Sequence, residues 1–199
     1  MKLIKQSYKI LKISGNLEYI EECGRTCYKS EEKITFSSAE KFVSQIIKRG
    51  HESVIEHGVL SVRFITNRGV THELVRHRLA SYSQESTRYV NYGGREIEFI
   101  MPVWIEQSNL DQFNLFHEAC KLSEYYYKQL LSQGWRPEQA REVLPNSLKT
   151  EIITTANFRE WRHIFKLRCS KAAHPQMREL MLPLLRELKT TIPIVFDDL

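Results

Sequence analysis

Long hydrophobic runs are missing from this 199-residue chain. The longest, Leu180 to Leu185, has a proline inside it and is far too short to span a membrane. The opening MKLIKQSYKI scatters lysines among its apolar positions, so no apolar signal-peptide core is expected there. Cysteine is scarce too. Cys23 and Cys27 are spaced C-x3-C, Cys120 and Cys169 stand apart, and no second pair completes a zinc-ligand pattern. Without a secretory signal, reduced thiols in a cytoplasmic protein are the expectation. Internal repeats, low-complexity segments and a lysine-rich tail are all absent. What remains is one globular domain, residues 1–199, with no membrane and no metal.

What is present is ordinary in amount. Hydrophobic residues make up 42% and charged residues 27%. The net charge of +5 favours anionic partners: nucleotides, phosphorylated cofactors or nucleic acid.

The hydrophobic pattern predicts a mixed α+β fold with a small antiparallel sheet packed with helices. Ser37 to Arg49 reads as a helix, with Ser37 and Glu40 as a capping box and Gly50 past its end. Val59 to Thr66 alternates as a strand, and Asn67-Arg68-Gly69 reads as a turn. Val70, Leu74, Val75 and Leu79 recur at helical period, which puts Arg76-His77-Arg78 near a helix end and a loop from Ser81. Glu96 to Met101 alternates as a strand, with Arg88 to Tyr92 as its expected hairpin partner across Gly93-Gly94. Ser108 to Gln133 is a long helix ending at Gly134. A short helix opens at Pro137 and stops before Pro145. Lys149 to Thr155 is a strand. Asn157 caps the next helix, with Glu160 at its third position, and Pro175 opens the last, which Pro183 is expected to kink.

Three stretches carry chemistry. HESVIEH, His51 to His57, spaces its histidines six residues apart, a rotation of about 240° on a helix, so it is not a zinc-binding H-E-x-x-H. It reads as a connection offering His, Ser and Glu to a ligand. In RHRLASYSQESTRY, Arg76 to Tyr89, the two arginines of RHR lie about 200° apart on a helix and cannot both face one ligand unless the helix is ending. Cations at a helix end also have a purely structural reason, the dipole. The hydroxyls, amide, carboxylate and arginine that follow suit a phosphate and a sugar or base edge. A rival reading is a non-catalytic nucleotide- or RNA-binding protein, with Tyr82, Tyr89 and Tyr92 as stacking candidates. Ser86 lacks a G-x-S-x-G elbow and reads as a hydrogen-bonding residue rather than a nucleophile. In the third stretch, Ala156 to Ser170, Asn157 and Arg168 return to one helix face roughly 16 Å apart. Arg159 and His163 form an i, i+4 pair on an adjacent ridge. Such a helix can line an elongated cofactor, or simply face solvent.

RHR followed by seven residues and Ser86 resembles the signature of the flavin-dependent thymidylate synthases. HESVIEH upstream, QAREVLP from Gln139 to Pro145, and Asn157, Arg159 and Leu167-Arg168 downstream follow in the family's order. The resemblance implies an enzyme that methylates dUMP to dTMP. Methylenetetrahydrofolate would supply the carbon, and FAD reduced by NADPH the hydride. It also implies a homotetramer with sites shared between subunits and no nucleic acid as partner. Carried over, Ser53, Arg76, His77, Arg78, Gln84, Asn157, Arg159 and His163 would contact FAD. Glu73, Leu74, Val75, Arg76, Gln84, Glu85, Ser86, Thr87, Arg88, Arg141 and Arg168 would contact dUMP. Arg168 would be the catalytic residue, and His51 would lie on the folate or NADPH side. Ser53 stands where threonine is frequent in the family and His163 where asparagine is familiar. Each still offers a hydrogen-bonding group.

Overall fold

The computed structural model describes residues 1–199. The chain divides into two compact units, each assembled from separated stretches. The first comprises Met1–Ser7, Phe64–Arg76 and Ser83–Ile152; the second comprises Tyr8–Arg63, His77–Tyr82 and Ile153–Leu199. In chain order the strands are β1 (Lys2–Ile4), β2 (Ser7–Ser14), β3 (Val59–Asn67), β4 (Ala80–Gln84), β5 (Glu98–Ile100) and β6 (Lys149–Asn157). The helices are α1 (Leu17–Thr26), α2 (Ser38–Lys48), α3 (Arg68–Leu74), α4 (Leu110–Ser132), α5 (Pro137–Ala140), α6 (Phe158–Arg168), α7 (Pro175–Thr191) and α8 (Pro193–Phe196). The expected mixed fold with a small antiparallel sheet is present, and its strand order is β2-β3-β6-β4. Along β3 the alternation is complete: Leu60, Val62, Phe64 and Thr66 are all fully buried. No helix is long and apolar enough to cross a membrane.

In the first unit the core gathers Tyr92, Ile97, Phe99, Cys120, Tyr127, Ala140 and Leu148. Burying each large side chain contributes roughly 1.5–3 kcal/mol. The Tyr127 hydroxyl, on α4, accepts from the Tyr92 backbone N–H at 3.3 Å, so the phenol is satisfied inside that core. Asn109 and Gln112 cap each other at the start of α4, and Gly134 ends it with φ +91°.

In the second unit Phe158, Trp161 and Phe165 project from α6, and both phenylalanine rings pack edge-on against Phe196 of α8. The Trp161 indole donates to the Leu60 carbonyl at 2.9 Å. Gly58 must be glycine, because a Cβ there would stand 2.2 Å from the Phe158 ring. Arg162 is buried, yet its charge is compensated. It is bidentate to Asp198 at 2.6 and 2.7 Å, contacts Glu52 at 3.3 Å and donates to the Val195 carbonyl. Removing the guanidinium would strand these acceptors, a loss on the order of 3–5 kcal/mol for a broken buried pair.

Several local expectations are overturned. The Ser37–Glu40 capping box does not form; Ser38 Oγ accepts from Thr35 N–H and donates to Glu21 at 2.6 Å instead. Asn67-Arg68-Gly69 is no turn. Asn67 caps α3 directly, accepting from Val70 N–H at 2.8 Å. That helix stops at Leu74, five residues short of Leu79, and the expected loop from Ser81 is strand β4. The Gly93-Gly94 hairpin is absent: β5 pairs in parallel with β1, Leu3 opposite Phe99. A long-range partner won over the local turn signal.

Candidate active site

The expected site residues fall into two sets, one in each unit. In the first unit, Glu73 and Leu74 close α3, with Val75 and Arg76 just beyond it, and Leu74 is buried to 1% exposure, so only its main chain can meet a ligand. Gln84 ends β4, and its amide nitrogen donates to the Thr71 hydroxyl at 3.0 Å and the Thr150 hydroxyl at 3.2 Å. That fixes the side chain with its carbonyl turned the other way. Glu85 is already engaged: it accepts from the Tyr92 hydroxyl at 2.8 Å and pairs with Lys149 at 3.3 Å. Its carboxylate is thus a structural acceptor, and burial plus this contact push the Tyr92 phenol above its ordinary range. Ser86 Oγ accepts from the Arg88 N–H at 3.3 Å, and its carbonyl accepts from Tyr89 and Val90, which makes a tight turn. Arg88 is exposed, with its guanidinium 5.4 Å from the centre of the Tyr89 ring. Arg141 reaches the Thr87 hydroxyl at 3.3 Å. Arg141 and Thr87 therefore come together within this unit, 54 residues apart in the chain. Arg76 is exposed as well.

In the second unit, Asn157 caps α6 by accepting from Glu160 N–H at 2.8 Å. Its amide oxygen is spent there, which leaves the NH2 as the ligand-binding edge. Asn157, Arg159 and His163 line one pocket of about 470 Å³ together with Leu79, Glu160 and Lys166. Arg159 pairs at 2.6 Å with Glu56, which lines the same pocket. His77 is 5% exposed, and its ring meets that of His163 edge-on at 5.7 Å. Arg168, the last residue of α6, donates from Nε to His77 Nε2 at 2.9 Å. Burial, then the neighbouring Arg168 and His163, lower the His77 pKa to about 4, so its imidazole is neutral at physiological pH. The Tyr82 hydroxyl donates to the His77 carbonyl at 2.8 Å, and burial with Glu160 nearby raises that phenol to about 12. Arg78 is exposed, and because α3 has already ended, helical rotation places no constraint on the two arginines of RHR.

His51 and Ser53 open a 3-10 helix (Glu52–His57) and line a different cavity of about 440 Å³ with Arg25, Cys27, Lys33 and Arg49. A cavity of about 880 Å³ between the start of α1 and the end of α7 holds none of the expected site residues. Glu160 was not visible as a site residue in the sequence. Only the position of Glu160 at the third residue of a capped helix hinted that it is held in place.

The donor set fits a flavin. Leu79, 76% exposed, offers an apolar wall beside the amide of Asn157, the guanidinium of Arg159 and the imidazole of His163. A flat ring with a polar edge needs that combination.

The family model described as "Thymidylate synthase complementing protein" matches residues 9–194. A flavin-dependent thymidylate synthase of Geobacter sulfurreducens is 36% identical over 181 residues, covering 87% of this chain and 78% of that protein. One of Mycolicibacterium gilvum is 38% identical over 203 residues, with 92% and 80% covered. One of Mycobacterium tuberculosis is 36% identical, with the same coverage. Among solved structures, the UMP/dUMP methylase PolB of Streptomyces cacaoi, bound with 5-Br dUMP, is similar in fold. Its TM-score is 0.82 at 20% identity, covering 99% of this chain and 96% of that one.

Proposed function

The chain belongs to the flavin-dependent thymidylate synthase family, and from that premise we propose how its residues methylate dUMP to dTMP. FAD is the cofactor, and NADPH and methylenetetrahydrofolate are co-substrates. Bound FAD supplies the hydride that completes the methyl group. Asn157, Arg159 and His163 would hold it from one pocket, with Ser53, Arg76, His77, Arg78 and Gln84 completing the set. Arginines near a flavin stabilise negative charge on it. The exposed Arg88 and the partly buried Arg141 take the dianionic phosphate of dUMP, with Ser86 and Thr87 as hydroxyl partners. Glu73 and the main chain of Leu74, Val75 and Glu85 frame the nucleotide. His51 serves the folate or NADPH side.

The observation that carries this reading is Arg168, held through Nε by a neutral imidazole. A guanidinium gripped by one edge is an oriented cation. A guanidinium is a fixed cation, so it stabilises developing negative charge on the uracil ring without exchanging a proton. The imidazole itself brings no opposing charge to the guanidinium.

The proposed assembly is a homotetramer with shared sites. Leu115, Leu122 and Tyr126, spaced seven and four along α4, share one face and are 69%, 46% and 54% exposed, as a subunit contact requires. The proposed compartment is the cytoplasm, which suits four free cysteines.

The test is optical. The purified protein is expected to be yellow, or to take up added FAD, with a flavin spectrum that NADPH bleaches in the presence of dUMP. A colourless protein that takes up no FAD would instead favour a nucleotide-binding protein without catalysis.

A further inference from the structure

We propose that Glu160 is a positioning residue for Arg168, acting through His77; this rests on the reading of Arg168 as the catalytic residue. Glu160 and Arg168 sit at opposite ends of α6, eight positions and about 12 Å of helix rise apart. Both converge on one imidazole. Arg168 Nε donates to Nε2 of His77 at 2.9 Å, and Glu160 Oε1 stands 3.5 Å from its Nδ1.

Proton accounting gives this arrangement its meaning. A guanidinium only donates, so Nε2 must present a lone pair to Arg168. The neutral ring then carries its proton on Nδ1, the nitrogen that faces the carboxyl. The opposite tautomer would aim N–H at N–H on the Arg168 side and a lone pair at the Glu160 oxygen. Glu160 therefore selects the tautomer that can hold Arg168. Around the ring, the Tyr82 hydroxyl donates to the His77 carbonyl, and His163 meets the ring edge-on.

His77, Glu160 and His163 have ligand atoms within 4.8 Å of one another, a spacing that a metal ion could use. The tautomer argues against that use. Nε2 is taken by Arg168 and Nδ1 bears the proton, so His77 has no lone pair to give. The cluster works as a relay of orientation.

Glu160 is also an expensive residue for a merely structural role. It is 7% exposed, burial raises its pKa, and its one ion-pair contact is with an imidazole that is itself neutral. A carboxyl kept in that setting is costly unless its direction matters.

The experiment uses the FAD-loaded enzyme with Glu160→Leu and Glu160→Gln. Two readouts are taken: the His77 tautomer from ¹⁵N NMR of histidine-labelled protein, and kcat and KM for dUMP. Glu160→Leu is expected to move His77 toward the Nε2–H tautomer and to lower kcat by on the order of 10–100-fold, as loss of an orienting partner does. KM for dUMP is expected to change less. Glu160→Gln keeps an acceptor for Nδ1–H and is expected to recover most of kcat, and Glu160→Ala takes the place of the leucine variant if that one does not fold. An unchanged tautomer with unchanged kcat in the variant that removes the acceptor overturns the proposal. A shifted tautomer together with full activity in Arg168→Ala would overturn the catalytic reading of Arg168 and leave the relay standing.

Discussion

Lys149 in the first unit and Arg168 in the second are both partly buried cations, and they are held in different ways. Lys149 sits between two carboxylates, Glu151 at 2.8 Å and Glu85 at 3.3 Å. These contacts outweigh its burial and raise its pKa. Its charge is consumed where it stands. Arg168 is gripped by an imidazole that carries none. The carboxyl that completes the arrangement, Glu160, faces the other nitrogen of that ring. The difference separates a cation fixed between two opposite charges from one whose Nε is fixed by a neutral ring, the cation we propose works in the reaction. The first is neutralised by its neighbours, and the second is oriented by a neutral one.

Three perturbations sharpen the contrast. The largest effect is expected at Arg168. Arg168→Ala is expected to lower dTMP formation by at least about 10²-fold, the scale of losing one transition-state donor. Next comes Lys149→Met, which removes the cation between Glu85 and Glu151. It is expected to cost stability on the order of 1–3 kcal/mol, read from the midpoint of urea unfolding. Turnover per folded molecule should stay close to wild type. A Lys149 variant that is fully stable but inactive would break the distinction, because Lys149 would then be working in the reaction. The third perturbation is pH. His77 has a folded pKa near 4, below the ordinary 6.5. Its contribution to stability is complete above pH 6.5 and is lost as pH falls through 4, because the unfolded chain takes up the proton first. Thermal unfolding between pH 7 and 4 is expected to show that loss, and His77→Gln should flatten it.

How much of this was legible beforehand depended on the range of the interactions. Strand β3, helix α4 and the Asn157 cap of α6 follow from residues a few positions apart, and all three are present where the pattern put them. The failures were nonlocal. Gly93-Gly94 signalled a hairpin, but β5 found β1 across almost a hundred residues. Ser37 and Glu40 spelled a capping box, but Ser38 turned to Glu21 instead. The helix expected to reach Leu79 ended at Leu74, because β4 pairs with β6, which lies far along the chain. The site divides in the same way. RHR, Ser86, Asn157 and Arg168 could be named from spacing and resemblance. The contact between His77 and Arg168 spans 91 residues, and the one between Arg159 and Glu56 spans 103, so no local pattern announces either. Glu160 was readable only as part of a helix cap, because its second role exists only once His77 is folded against it.

The central claim is that Arg168 acts as an oriented cation in the chemistry rather than in building the fold or holding the flavin. Rapid-quench measurement of dTMP formation in Arg168→Ala, loaded with FAD and supplied with dUMP, methylenetetrahydrofolate and NADPH, tests it most directly. The account predicts a folded protein that keeps its flavin and forms no detectable dTMP in the time of a wild-type turnover. Formation of dTMP at the wild-type rate would contradict it.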